Sequence, residues 1–350
     1  MATYVRQQEI RHRIGPAGRF QLKVTDGDVR IRPAEGDEVR LRATFEIGAG
    51  SDEEADRVLD IARLIVSSGD SYLDVQAPGD GQLGGLTQAL GLPDRSTLRR
   101  WITGSPRVEL SVDVEAPAGC ELRIDTVSGD LVVHGMRGEQ RYNTVSGDQY
   151  LTEIGGSVRS NSVSGDGTLR ADGPIRVRAE SVSGDLSITS PRLEELRLTT
   201  VSGDLEIEGE LAQGELARSG EHRIESVSGD LLFGLIGSAT FDVRGISTDI
   251  QAEMAHRLEG RMDRRRVVIG TGEPTIVFSS MSGDVVVRNP RRLERKVASQ
   301  SAPEATGATQ STAEKAPMSE EAIEVLRALE RGEIDVEEAS RRLGERSSDA

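Results

Sequence analysis

The chain has 350 residues, 43 Lys+Arg against 59 Asp+Glu, a net charge of −16, ten aromatics and one cysteine. This balance argues against a nucleic-acid partner, because phosphate binding needs a basic face and base stacking needs aromatics. A single thiol, Cys120, builds neither an internal disulfide nor a zinc cluster, and no apolar run reaches the roughly 18–20 residues that a bilayer span needs, so the expected location is cytoplasmic.

Residues 1–106 read as a β-rich N-terminal cap region. Phe20–Val24 and Val29–Ile31 flank a turn, Thr25-Asp-Gly-Asp28, and Val39–Leu41 continues the alternation. Ser51-Asp-Glu-Glu54 is a capping box. It opens Ala55, Val58, Leu59, Ala62, Ile65 and Val66 at helical spacing, which predicts a helix from about 52 to 66 with its apolar stripe in the core. Residues 80–106 break the pattern and hold the one tryptophan, Trp101, beside Arg99 and Arg100. This insert reads as cover for a sheet edge; its other use is peripheral membrane contact.

From 107 to 290 the chain repeats itself. Val-Ser-Gly-Asp recurs with its Ser at 128, 146, 164, 183, 202 and 228, and degenerate copies place Ser247 and Ser282 in the same role. The steps are 18, 18, 19, 19, 26, 19 and 35 residues; 26 reads as one rung with an insertion and 35 as two rungs. Within Thr126–Val133 the parity puts Val127, Leu131 and Val133 inward with Gly129, and Thr126, Ser128 and Asp130 outward. One such unit cannot bury its own apolar face, whereas units stacked about 4.8 Å apart can. The expected fold is therefore mainly β: a single-stranded β-solenoid, or β-helix, with rungs of about 18–19 residues. An antiparallel sandwich of repetitive hairpins is the alternative.

In that stack Asp130, Asp148, Asp166, Asp185, Asp204 and Asp230 form a row of carboxylates about 5 Å apart, repelling by roughly 1 kcal/mol per pair in water. Ser hydroxyls beside them can donate to the carboxylates. The row reads as the polar outer face of the stack. Its alternatives are a row of divalent cations, without the glycine-rich nonapeptide of calcium-binding rolls, and a carboxylate cleft for carbohydrate. Arg257, Arg261, Arg264, Arg265 and Arg266 read as a solvated loop offsetting nearby acids, or as an anion site. No metal, cofactor or catalytic spacing stands out, so neither a catalytic residue nor a cofactor is expected.

Residues 291–318 shift to Ala, Ser, Thr and Gln and read as a flexible linker, spanning about 25 Å. Residues 319–346 then carry two capping patterns and predict a small α-helical hairpin. So short a hairpin has too little core to stand alone. Its apolar side chains Val325, Leu326, Leu329, Val336 and Leu343 are expected to dock on a protein partner or on a second copy of the chain.

The Val-Ser-Gly-Asp-Leu rungs, with Pro117-Ala-Gly119 leading into Leu122-Arg-Ile124, resemble a bacterial β-solenoid family of unknown function called "putative adhesin". The tail from Ile323 to Ala339 is similar to a short helical hairpin that often accompanies this solenoid. The pairing implies a non-enzymatic repeat scaffold in regulation of the cell-envelope stress response. The alternatives are a polymer-forming or surface-adhesion structural protein and a cation- or glycan-binding β-helix. The family has no established catalytic residues to carry over.

Overall fold

A computed structural model describes residues 2–78, 108–213, 222–261 and 264–290 of the chain. The insert around Trp101, the linker and the predicted hairpin, with Val325, Leu326, Leu329, Val336 and Leu343, lie outside the described residues. The described chain is mainly β: twenty-two strands in one connected sheet, and one helix.

The dominant pairing is parallel and advances by one repeat. Arg141 lies opposite Arg123, Arg159 opposite Arg141, and Arg178 opposite Arg159, so the register steps by 18, 18 and 19 residues. A second column of parallel pairs follows the motif: Gln149 opposite Leu131, Gly167 opposite Gln149, Leu186 opposite Gly167 and Leu205 opposite Leu186. Strand Gln149–Ser164 serves both columns by bending, with Glu153 at φ 55° and register shifts on either side of Ile154. Between the columns lies a core of Leu, Ile and Val, including Leu122, Ile124, Leu131, Val133, Ile188 and Ile207, each fully buried. Burial of one such side chain contributes about 1.5–3 kcal/mol.

The boundary expected at residue 106 does not separate two folds. Arg19–Asp26 pairs in parallel with Glu121–Ser128, and Asp28–Ala34 with Leu131–His134. The turn Thr25–Asp28 is thus the first rung of the stack, because it carries the same strand–Gly–Asp–strand geometry. Outward from it one more parallel layer follows, Tyr72–Gln76 on Arg19–Asp26 and Val108–Pro117 on Asp28–Ala34, before the pairing turns antiparallel: Val108–Pro117 pairs with Glu38–Ala49, and Glu38–Ala49 with Ala2–Arg13.

The helix is shorter than expected, Asp52–Ala62. Its N-cap is Ser51, whose Oγ accepts the Glu54 N–H at 3.2 Å. It stops because Arg63 takes extended geometry and the Gln8 side chain binds both backbone groups of Leu64, at 2.9 and 3.1 Å. Ile65 and Val66, assigned above to the helical stripe, stand exposed in strand Ile65–Gly69, which pairs antiparallel with Tyr72–Gln76.

At the other end the chain order is not the stacking order. His222–Ser226 and Leu231–Ile236 pair with Thr275–Ser282 and Val285–Arg288. Those in turn pair with Ala239–Ser247 and Ile250–Ala252. The step of 35 between Ser247 and Ser282 is therefore not two rungs. It holds an antiparallel hairpin, His256–Arg261 with Arg264–Ile269, whose second strand pairs antiparallel with Ala239–Ser247. The arginines expected in a solvated loop sit in these strands: Arg264 pairs with buried Asp242, Arg265 with Asp249, and Arg257 with Glu259.

Candidate functional site

The repeated motif is the strongest candidate for a site, and the structure gives each of its residues a position. Nine aspartates stand in file, in the spatial order Asp28, Asp130, Asp148, Asp166, Asp185, Asp204, Asp230, Asp284 and Asp249. The backbone N–H of each after Asp28 donates to Oδ1 of the aspartate one rung before it, at 2.7–3.1 Å. The return bond runs the other way: the N–H after each aspartate donates to the next aspartate's carbonyl, as Leu131 does to Asp148 at 2.9 Å and Leu205 to Asp230 at 2.8 Å. Each carboxylate from Asp28 to Asp284 therefore faces a backbone dipole that favours its charge.

The serines do not bind these carboxylates, as first expected. Ser183, Ser202 and Ser228 donate instead to the carbonyls of Val163, Val182 and Val201 one rung before, at 3.3–3.4 Å. Ser128 alone donates to an acid, Asp26, at 3.0 Å. The glycines solve a packing problem. Gly129, Gly147, Gly165, Gly184, Gly203, Gly229 and Gly283 all have φ between 107° and 123°. A Cβ on any of them would also press into the carbonyl of the glycine beneath. Both conditions exclude an L side chain.

The expected parity is corrected at the residue before the serine. Val127, Val145 and Val163 are 44–47% exposed, whereas Thr126 and Thr144 are 3% exposed. The inward hydroxyl ties down the turn. Ser181, Thr200, Ser226 and Ser280 each donate to the carbonyl of the motif serine two residues on, at 2.7–3.3 Å. A valine there would leave that carbonyl without its donor. Gln149, a departure from the usual leucine, is buried and satisfied, donating to Thr144 at 3.0 Å and accepting from Ser160 at 2.7 Å.

Along the row runs an open groove of about 500 Å³, lined by Asp166, Asp185, Asp204 and Asp230 with Leu186 and Leu205. Among the described residues no group of three or more His, Cys, Asp or Glu is placed to hold a metal ion. Cys120 is fully buried, and burial pushes its thiol up to about 12. No helix among the described residues is long and apolar enough to cross a membrane.

A second file went unread in the sequence. Arg123, Arg141, Arg159, Arg178, Arg197 and Arg223 face one another in register on the outer side of the parallel strands. Their steps repeat those of the motif serines, which is the signal that could have revealed them.

No family model matches the chain, and no curated protein matches it. Among solved structures it is similar to a "putative cell adhesion protein" of Clostridium sporogenes, at 11% identity over 81% of this chain and 100% of that one, with a TM-score of 0.26. A "putative adhesin" of Bacteroides fragilis gives 13%, 81%, 97% and 0.28. A "putative lipid binding protein" of Parabacteroides distasonis gives 10%, 81%, 96% and 0.25. At these identities the likeness speaks to no individual residue.

Proposed function

We propose that the protein is a non-enzymatic β-solenoid scaffold with rungs of 18–19 residues, whose C-terminal segment docks a protein partner or a second copy. One observation carries the reading. The residues repeated most faithfully are occupied in joining one rung to the next: Asp Oδ1 accepts an amide, Ser donates to a carbonyl and Gly admits the close approach. A catalytic pair would need carboxylates set apart from their neighbours in environment. Here eight of the nine aspartates repeat one contact, Oδ1 accepting the amide of the next rung. The cation reading loses support for the same reason, since one oxygen of each of those eight carboxylates is already engaged by an amide, and excess calcium should leave the melting temperature within about 1 °C.

The polymer reading needs open parallel ends. The N-terminal end of the described stack passes instead into antiparallel strands, Glu38–Ala49 with Ala2–Arg13, and at the C-terminal end one of the two columns does so, through Arg264–Ile269 with His256–Arg261. That favours a discrete scaffold. The setting we assign is the bacterial cell-envelope stress response, on the resemblance of repeat and tail taken together. The assigned location is cytoplasmic, with peripheral membrane contact through 80–106 as the second reading.

Docking through Val325, Leu326, Leu329, Val336 and Leu343 is tested by light scattering and chemical cross-linking. The full chain is compared with a Leu326→Asp/Leu329→Asp variant and with a chain ending at Pro290. Loss of a complex or of self-association in both shortened and substituted chains is expected. The same oligomeric state and the same partner cross-links in all three would overturn the docking role.

A further inference from the structure

The arginine file is the feature that the scaffold reading leaves unused. Six guanidinium groups stand one per rung, about 4.8 Å apart, on the outer side of a protein whose net charge is −16. Stacking like charges in register costs free energy unless acids or a ligand offset it. At the ends of the file acids do so: Arg123 pairs with Asp125 at 3.4 Å, Arg178 and Arg197 with Glu195 at 3.2 and 3.0 Å, and Arg223 with Glu225 at 3.1 Å. In the middle they do not. Among the described residues no ion pair joins Arg141 or Arg159, although the two are direct neighbours in register.

The surroundings of that pair are polar and accessible. Ser157 and Arg176 follow Glu139 in the column on one side; Asn143 and Asn161 stand in the column on the other. A shallow groove of about 190 Å³ runs over Glu139, Ser157, Arg159, Arg176, Arg178 and Glu195; in it Arg176 pairs with Glu194 and Arg178 with Glu195, each at 3.2 Å, which leaves Arg159, among the described residues, as the groove's arginine without an ion pair. Asn161 donates to Asn143 at 2.7 Å, so the amides are held in line along the stack axis.

We propose that Arg141 and Arg159 bind an acidic polysaccharide chain lying along the stack axis, with one carboxylate or sulfate per sugar facing one guanidinium per rung. The width of the site selects a thread. Carboxylates flank the file at Asp125, Glu139 and Glu180, so a flat anionic membrane pressed on this face would meet them as well. The charge density selects a glycan over nucleic acid. A DNA duplex carries a charge about every 1.7 Å, well above one cation per 4.8 Å rung. An extended acidic glycan carries about one per sugar, and a sugar advances by about one rung. The outward residues flanking the file on these strands, Glu139, Ser157, Arg176, Asn143, Asn161 and Glu180, include no aromatic for base stacking. Asn143, Asn161 and Ser157 supply the neutral donors and acceptors that sugar hydroxyls take. Its arginines belong to strands Glu139–Ser146 and Gln149–Ser164.

The test uses the full chain and isothermal titration with polygalacturonate, heparin, neutral dextran and phosphatidylglycerol vesicles. Polygalacturonate or heparin is expected to bind, dextran and vesicles not, and Arg141→Gln/Arg159→Gln is expected to weaken binding at least tenfold while Arg30→Gln, on other strands, leaves it unchanged. No binding of either polyanion, equal binding by the double variant, or vesicle binding with the same arginine dependence would overturn the proposal. A reading independent of any variant is protection of Arg141 and Arg159 from phenylglyoxal by polygalacturonate on the wild-type chain. Unchanged labelling there would also overturn it.

Discussion

The interior of the stack and its C-terminal end use the same motif with different freedom. From Asp130 to Asp230 the rungs follow chain order, and every glycine lies against the glycine before it. Between 239 and 288 the order reverses: the Gly283 rung sits on Gly229, and the Ile246–Ile250 rung, reached first along the chain, sits outside it with Thr248 in place of glycine. The motif therefore specifies how a rung joins its neighbours and not which neighbour it joins. Glycine is needed where a rung lies on the carbonyl of another glycine; at the outermost rung, where the backbone is not at positive φ, threonine serves.

The largest expected effect breaks that contrast at its strict end. Gly184→Ala places a Cβ against the Gly165 carbonyl at φ 111°, and should cost about 3 kcal/mol or more in urea unfolding. Thr248→Ala should be nearly neutral, because its hydroxyl is buried without a partner and its loss leaves nothing unsatisfied. Equal costs at the two positions would erase the distinction.

Asp242 comes next, since it locks the C-terminal hairpin. It is buried, and hydrogen bonds from Arg264, then from Arg244, hold its carboxyl down at about 2. A depressed acid contributes stability above its unfolded value near 3.8, and that contribution is lost as pH falls through 3.8 toward 2. The expected loss is about 2 kcal/mol. Asp242→Asn should remove that acid limb from the stability–pH profile; an unchanged limb would assign it elsewhere.

Asp185→Ala should cost about 1–2 kcal/mol by stranding the Asp204 amide, whereas Asp185→Asn keeps an acceptor oxygen and should change stability little. The smallest effect is expected at the outward valines. Val182→Thr should stay within about 0.5 kcal/mol, since the side chain is 38% exposed. A cost above about 1 kcal/mol would restore the inward parity first expected for this position.

Much of this was legible from residue types. The period, the strand character and the Ser51 cap follow from spacing and capping chemistry, which are local. The parity of Val127 did not, because hydropathy ranks valine above threonine for burial, whereas the inner hydroxyl of Thr126 is satisfied there by donating to Thr144 at 3.3 Å. The stacking of Met281–Val285 on Val227–Leu231 was illegible for a different reason: identical motifs fit any neighbour, so only the connecting hairpin decides. The helix end at Ala62 was lost to a tertiary bond, Gln8 on Leu64. Arg123, Arg141 and Arg159 were legible in principle at the same 18-residue step.

The central claim is that the aspartate row is a hydrogen-bonded spine with a direction. Amide hydrogen exchange in Asp185→Ala tests it most directly. The Asp204 amide, which donates to Asp185 Oδ1 at 2.8 Å, should exchange much faster than in the wild-type chain, while the Asp166 amide, held by Asp148 on the far side, should keep its protection. Unchanged exchange at Asp204, or equal loss at both, would contradict the account.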